Sequence, residues 1–132
     1  MGLFSSAKKR GSSKRTEPYG LLQEDADHLA RLQARGVDIT APRFSEFAVC
    51  FTTQNHADAA VASLTADRVR FELVLPSHDI PEWTIMLFGR NEPLVPDFLR
   101  KTVDVCRALA DAHKGDYEGW VALLTEQEKS GE

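Results

Sequence analysis

Val69-Arg70-Phe71-Glu72-Leu73-Val74-Leu75, the turn Pro76-Ser77-His78-Asp79-Ile80-Pro81, and Trp83-Thr84-Ile85-Met86-Leu87-Phe88 form the stretch on which the fold turns. In the first run Val69, Phe71, Leu73 and Leu75 alternate with Arg70, Glu72 and Val74. In the second, Trp83, Ile85 and Leu87 alternate with Thr84, Met86 and Phe88. A period of two predicts strands, and the proline-bounded turn between them predicts an antiparallel hairpin. What precedes and follows this hairpin then fixes the topology.

Upstream, Phe47, Val49 and Phe51 alternate inside 44–53, a further half-buried strand. Asn55, with Asp58 three residues on, is read as the cap of a helix over 56–66 whose Ala57, Ala60, Val61 and Leu64 face inward. Downstream, Pro96 suits a first helical turn and Asp97 complements its dipole. Leu99, Val103, Cys106, Leu109, Ala110 and His113 mark that helix's inward face, Gly115 stops it, and 117–124 reads as a fourth strand. A leading helix over 21–35, with Leu22, Ala26, Leu29 and Leu32 on one stripe, ends at Gly36. After that helix the order is strand, helix, strand, strand, helix, strand. Right-handed crossovers turn it into an α+β, ferredoxin-like split βαβ sandwich: a four-stranded antiparallel sheet with two helices on one face. The leading helix is left to pack at an edge or on the open face.

A length of 132 residues bounds the chain to one domain, over 20–125, and 42% hydrophobic residues suffice for a packed core. Residues 126–132 read as a polar, frayed tail. The net charge of −4 divides unevenly. Residues 1–19 carry Lys8, Lys9, Arg10, Lys14 and Arg15 against Glu17, a net +4, leaving −8 on the rest. The first segment reads as a disordered basic arm able to touch RNA or anionic lipid weakly. Met1-Gly2-Leu3-Phe4-Ser5-Ser6 fits an acylation pattern read by a eukaryotic enzyme, whereas the alanine- and arginine-rich, lysine-poor body looks bacterial. With no signal peptide or spanning run, the expected location is the cytoplasm.

Chemistry finds little purchase. Cys50 and Cys106 are read as reduced core thiols. The histidines His28, His56, His78 and His113 are scattered, so no metal site is expected. No phosphate-cradling loop or nucleophile elbow appears, and neither a cofactor nor catalysis is expected. The acidic body opposes phosphate backbones, and Phe88 alone makes no stacking platform for bases. Protein binding fits better. Val74, Met86 and Phe88 take the phase facing away from the core, and a patch there calls for cover by the leading helix, a second copy or a partner. In Gly115-Asp116-Tyr117-Glu118-Gly119-Trp120, Asp116, Tyr117, Glu118 and Trp120 are the candidate interaction residues. Trp120 is expected to be mainly structural, with Asp116 and Glu118 nearer to function. A homo-oligomeric module with a scaffold or small-molecule-binding role is the alternative.

These residues meet a family pattern. From about Asp25 to Leu124 the chain resembles the RraB family, named for regulation of the activity of ribonuclease E. The resemblance rests on Gly36-Val37-Asp38, Pro42-Arg43, Ala59-Ala60, Pro81-Glu82-Trp83 and above all Tyr117-Glu118-Gly119-Trp120, where the family tends to carry Tyr-Asp-Gly-Trp. It implies a ferredoxin-like fold and a non-enzymatic role, binding an RNase E-type endoribonuclease and lowering its activity. Better-studied members end in a long acidic tail, whereas this chain ends in Glu126-Gln127-Glu128-Lys129-Ser130-Gly131-Glu132 and adds the basic arm.

Overall fold

A computed structural model describes residues 20–129; the basic arm with its acylation pattern, and residues 130–132, lie outside the described residues. The elements run α1 (Gln23–Ala34), β1 (Arg43–Phe51), α2 (Gln54–Ala66), β2 (Phe71–Val74), β3 (Trp83–Glu92), α3 (Pro96–His113), β4 (Asp116–Ala122) and α4 (Glu126–Lys129). The strands form one antiparallel sheet in the order β2-β3-β1-β4. This is the expected ferredoxin-like α+β arrangement. β2 and β3 form the hairpin, and each outer β-α-β unit leaves room for a strand of the other half.

Alternation sorts the sheet into two faces. Phe47, Val49 and Phe51 on β1 stand opposite Leu87, Ile85 and Trp83 on β3. On this face they meet Ala57, Ala60 and Leu64 of α2 and Leu99, Val103 and Cys106 of α3 in one buried cluster. Fully burying side chains such as Leu99 and Val103, here at 0% and 1% exposure, stabilises by ~1.5–3 kcal/mol each. α1 lies on the same face, over edge strand β4, where His28 stacks on Trp120 with centroids 4.1 Å apart. The leading helix therefore takes the edge position and does not cover the phase of Val74, Met86 and Phe88. Cys50 and Cys106 are both buried and free; Cys50 is across the sheet from α3.

Three helices end on a residue in the left-handed conformation, and only the first is glycine: Gly36, Arg68 and Lys114. After α1, Val37 N donates to Leu32 O and Gly36 N to Gln33 O. After α2, Val69 N donates to Leu64 O and Arg68 N to Thr65 O, the same paired closure. That turn occupies Val69, so β2 begins at Phe71 and is shorter than the alternation predicted. α3 ends on Lys114, with Gly115 N donating to Ala110 O. Gly115 is needed for space instead: a Cβ there would lie 2.5 Å from Phe51 Cε2 and 2.8 Å from Cys50 O.

Two further expectations change. The cap of α2 is Thr53, whose Oγ1 accepts from His56 N at 3.2 Å; Asn55 is already helical. Residues 126–129 form a helical turn pinned to the body. Glu128 and Thr125 close a reciprocal capping pair, and the Glu128 carboxylate accepts two bonds from Arg43, at 2.8 and 3.1 Å. Arg43 also donates to the carbonyls of Asp38 and Leu123, tying the start of β1 to the α1–β1 connection and to the segment that follows β4.

Candidate functional site

The segment that carries the candidate residues is bent by a bulge. Val49 pairs with Tyr117 but its neighbour Ala48 pairs with Gly119, so Glu118 is an extra residue in β4. Gly119 closes the bulge at φ 115°, a conformation that side chains rarely adopt. Without the extra residue, Tyr117 and Trp120 would point to opposite faces. With it, both reach the helix side, opposite Val49 and Phe47.

Tyr117 and Trp120 therefore serve the core. The Tyr117 hydroxyl donates to Asp25 Oδ1 at 3.1 Å, placing an acid of the first turn of α1 in a buried position. Trp120 is 2% exposed and sandwiched between His28 and Phe47, whose ring centroids lie 4.1 and 6.4 Å away. Burial, and then the charge of Arg31, hold the His28 pKa below its ordinary value. This cluster is the seat of α1.

Asp116 and Glu118 part company with the two aromatics. Asp116 is exposed opposite Cys50, while Glu118 is buried in the bulge. Burial pushes the Cys50 thiol up to about 11. A hydrogen bond with Thr84 opposes that rise, and the charges of Glu118, Glu82 and Asp116 add to it. Asp116 and Glu118 of β4 and Glu82, one residue before β3, thus all oppose ionisation of this thiol. Further along, Glu46 is raised by burial and then by Glu72, extending the acidic field across the sheet. The candidate segment divides: its aromatics dock a helix, Asp116 is exposed at the sheet edge, and Glu118 is buried in the bulge between them.

The same face holds a pair that alternation alone did not reveal. Phe44 stacks on Phe88 with centroids 5.4 Å apart, and the Arg90 guanidinium lies 5.8 and 5.5 Å from the two rings. Phe88 is therefore not solitary. The signal was available in the phase of β1, since Phe44 is an even number of residues from Glu46, which pairs with Phe88. Between the acidic and aromatic ends lie Ala48, Thr84 and Met86, at 0%, 3% and 1% exposure.

Among the described residues no group of three His, Cys, Asp or Glu side chains could hold a metal ion. No described helix is long and apolar enough to cross a membrane. No curated protein and no solved structure matches the chain. A family model does: RraB, Regulator of ribonuclease activity B, matches residues 22–121, which takes in β1, β2 and β3 whole and all of β4 but its last residue. The chain belongs to this family, and a regulator of ribonuclease activity implies a ribonuclease as its protein partner.

Proposed function

From that membership we propose that this protein is a non-enzymatic inhibitor of an RNase E-type endoribonuclease in bacterial RNA decay, acting from the cytoplasm by binding the nuclease. The helix-free sheet face does the binding. Its carboxylates, the exposed Asp116 foremost with Glu82 beside it and the buried Glu118 adding its charge, meet a basic, RNA-binding segment of the nuclease and exclude its RNA. The observation that carries this reading is the placement of the exposed Asp116 opposite Cys50, with Glu118 in the adjoining bulge, in a body whose net charge is −8. Complementary charge steers association and sets the partner's sign.

Ionic strength tests it. Affinity for the nuclease is expected to fall steeply as salt shrinks the Debye length from ~10 Å at 0.1 M to ~3 Å at 1 M. An affinity unchanged over that range would sink the electrostatic mechanism. RNA should also compete with the protein for the nuclease; simultaneous binding of both at full affinity would remove exclusion.

A second reading, a homo-oligomeric scaffold or small-molecule-binding module, draws on the Phe44–Phe88 pair and the 60% exposed Leu75 and Leu123. Light scattering over a range of concentrations separates the two, since a strict monomer excludes the oligomer.

A further inference from the structure

The Glu128 carboxylate lies in a receptor built by the body of the domain. Its Oε1 accepts from Arg43 Nη1 at 2.8 Å and from Thr125 N at 2.9 Å. Its Oε2 accepts from Arg43 Nη2 at 3.1 Å and from Asp38 N at 3.3 Å. Each oxygen thus takes one bond from a prong of the guanidinium fork and one from a backbone amide, an arrangement that suits a planar carboxylate. The Arg43 side chain is 6% exposed, and its buried Nε finds no hydrogen-bond partner among the described residues. Taking the anion from a buried ion pair leaves an uncompensated charge and is strongly destabilising, so this guanidinium demands a carboxylate.

Groups other than the occupant fix the receptor. Arg43 donates to Leu123 O at 3.1 Å and to Asp38 O at 2.7 Å, and Leu123 N in turn donates to Phe44 O at 2.8 Å. Backbone carbonyls anchored beside β1 therefore aim the fork whichever carboxylate it holds. Asp38 engages its own carboxylate with Thr40 N and Thr40 Oγ1, at 3.0 and 2.6 Å, and offers the site its amide. The occupant is held less firmly. No residue of α4 is buried, and the carbonyls of Glu128 and Lys129 lean on the exposed Arg35, each at 3.2 Å. Arg35, Asp38 and Arg43 lie within residues 22–121, the span of the family match, and Glu128 lies beyond it.

We propose that Arg43, with the Asp38 amide beside it and Arg35 at the rim, is a carboxylate-binding site that the chain closes with its own Glu128. A glutamate side chain of an acidic partner segment takes the same place when residues 125–129 swing off. The exchange keeps a carboxylate on Arg43 in both states, so neither state buries an unpaired cation. The body's charge of −8 does not forbid it, because physiological salt screens charges beyond ~8 Å and two guanidiniums govern at contact. This site is opposite in sign to the acids that meet the nuclease, and it does not rest on that functional reading.

Acetate probes the site in the full-length chain. Compared with chloride at equal ionic strength, it should raise the urea midpoint of Glu128→Ala more than that of the native chain. The Asp38 amide resonance should shift with acetate in Glu128→Ala and stay in place in the native chain. Adding Arg43→Lys to Glu128→Ala should abolish the shift; where that double variant does not fold, the comparison with the native chain decides. Equal responses of the two chains, or a response to inorganic phosphate as strong as that to acetate, would overturn a carboxylate site. Exchange is tested with a capped peptide copying Thr125-Glu126-Gln127-Glu128-Lys129 and a second with glutamine in place of both glutamates. The first should bind Glu128→Ala about tenfold or more tightly than the native chain, whose tethered tail competes at an effective concentration in the millimolar range. The glutamine peptide should bind neither chain, and at saturating glutamate peptide the amides of 125–129 in the native chain should exchange several-fold faster. Equal affinity for the two chains, or a tail that stays protected beneath bound peptide, would overturn the exchange.

Discussion

Two neighbouring residues just beyond the end of α3 do different work. Lys114, not Gly115, takes the left-handed conformation at the end of α3, while Gly115 lies where a Cβ would press on the Phe51 ring and the Cys50 carbonyl. The two positions should therefore answer oppositely to substitution. Lys114→Gly relieves a left-handed side chain that costs ~1–2 kcal/mol, partly offset by the greater freedom of glycine in the unfolded chain, so its stability should equal or exceed the native. Gly115→Ala overpacks a site bounded by backbone and should destabilise by ~1–3 kcal/mol. Gly119→Ala places a side chain at φ 115° and should cost a comparable ~1–3 kcal/mol, with loss of the bulge. Urea unfolding of the three variants checks the order; an alanine tolerated at 115 would show that Phe51 yields.

α1 and α4 are the elements least supported by the sheet, and each is held by a titratable contact. His28 on Trp120 has a lowered pKa, so the folded state resists its protonation. Below the ordinary value of 6.5 the unfolded chain takes up this proton more readily than the folded one, and stability falls as pH drops through that window. Urea midpoints at about pH 7.5 and about pH 5.5 should differ less for His28→Gln than for the native chain. Glu128 acts lower. Its hydrogen bonds with Arg43 first, and then with Thr125, hold its pKa at about 2, so its contribution is present above 4.5 and is lost as pH falls toward 2. Glu128→Gln should speed amide exchange in 125–129 at neutral pH while β1–β4 keep native protection. The strands and α3 were legible because period two and period 3.6 survive in Val69–Phe88 and Leu99–Ala110. α4 was missed because it buries nothing apolar; the cue was Thr125 followed by Glu128, a capping spacing. The split of 116–120 into core aromatics, an exposed acid at 116 and a buried acid at 118 was only half legible. Trp120 reads as structural from its type, but a one-residue bulge decides which face Tyr117 takes, and that depends on pairing with β1.

For the whole molecule, the question is whether net charge or its placement governs the proposed binding. A body of −8 attracts any basic partner, and a regulator working through bulk charge would lose affinity equally wherever acids were removed. The carboxylates are not evenly placed in effect: those of Glu118, Glu82 and Asp116 bear together on Cys50, and Glu72 bears on Glu46, all on the face without helices. Two double variants of equal net charge separate the cases. Glu72→Lys with Asp116→Lys reverses exposed acids on that face, whereas Asp58→Lys with Asp111→Lys reverses exposed acids on α2 and α3. All four side chains are exposed, so stability should change by only ~0.5 kcal/mol per site, and circular dichroism should report the same fold. Affinity for the nuclease at low salt should fall about tenfold or more for the first pair, chiefly through slower association, and about twofold for the second. Equal losses for the two pairs would mean that the partner reads the charge of the body rather than a face of it, and the sheet surface would lose its place as the binding site.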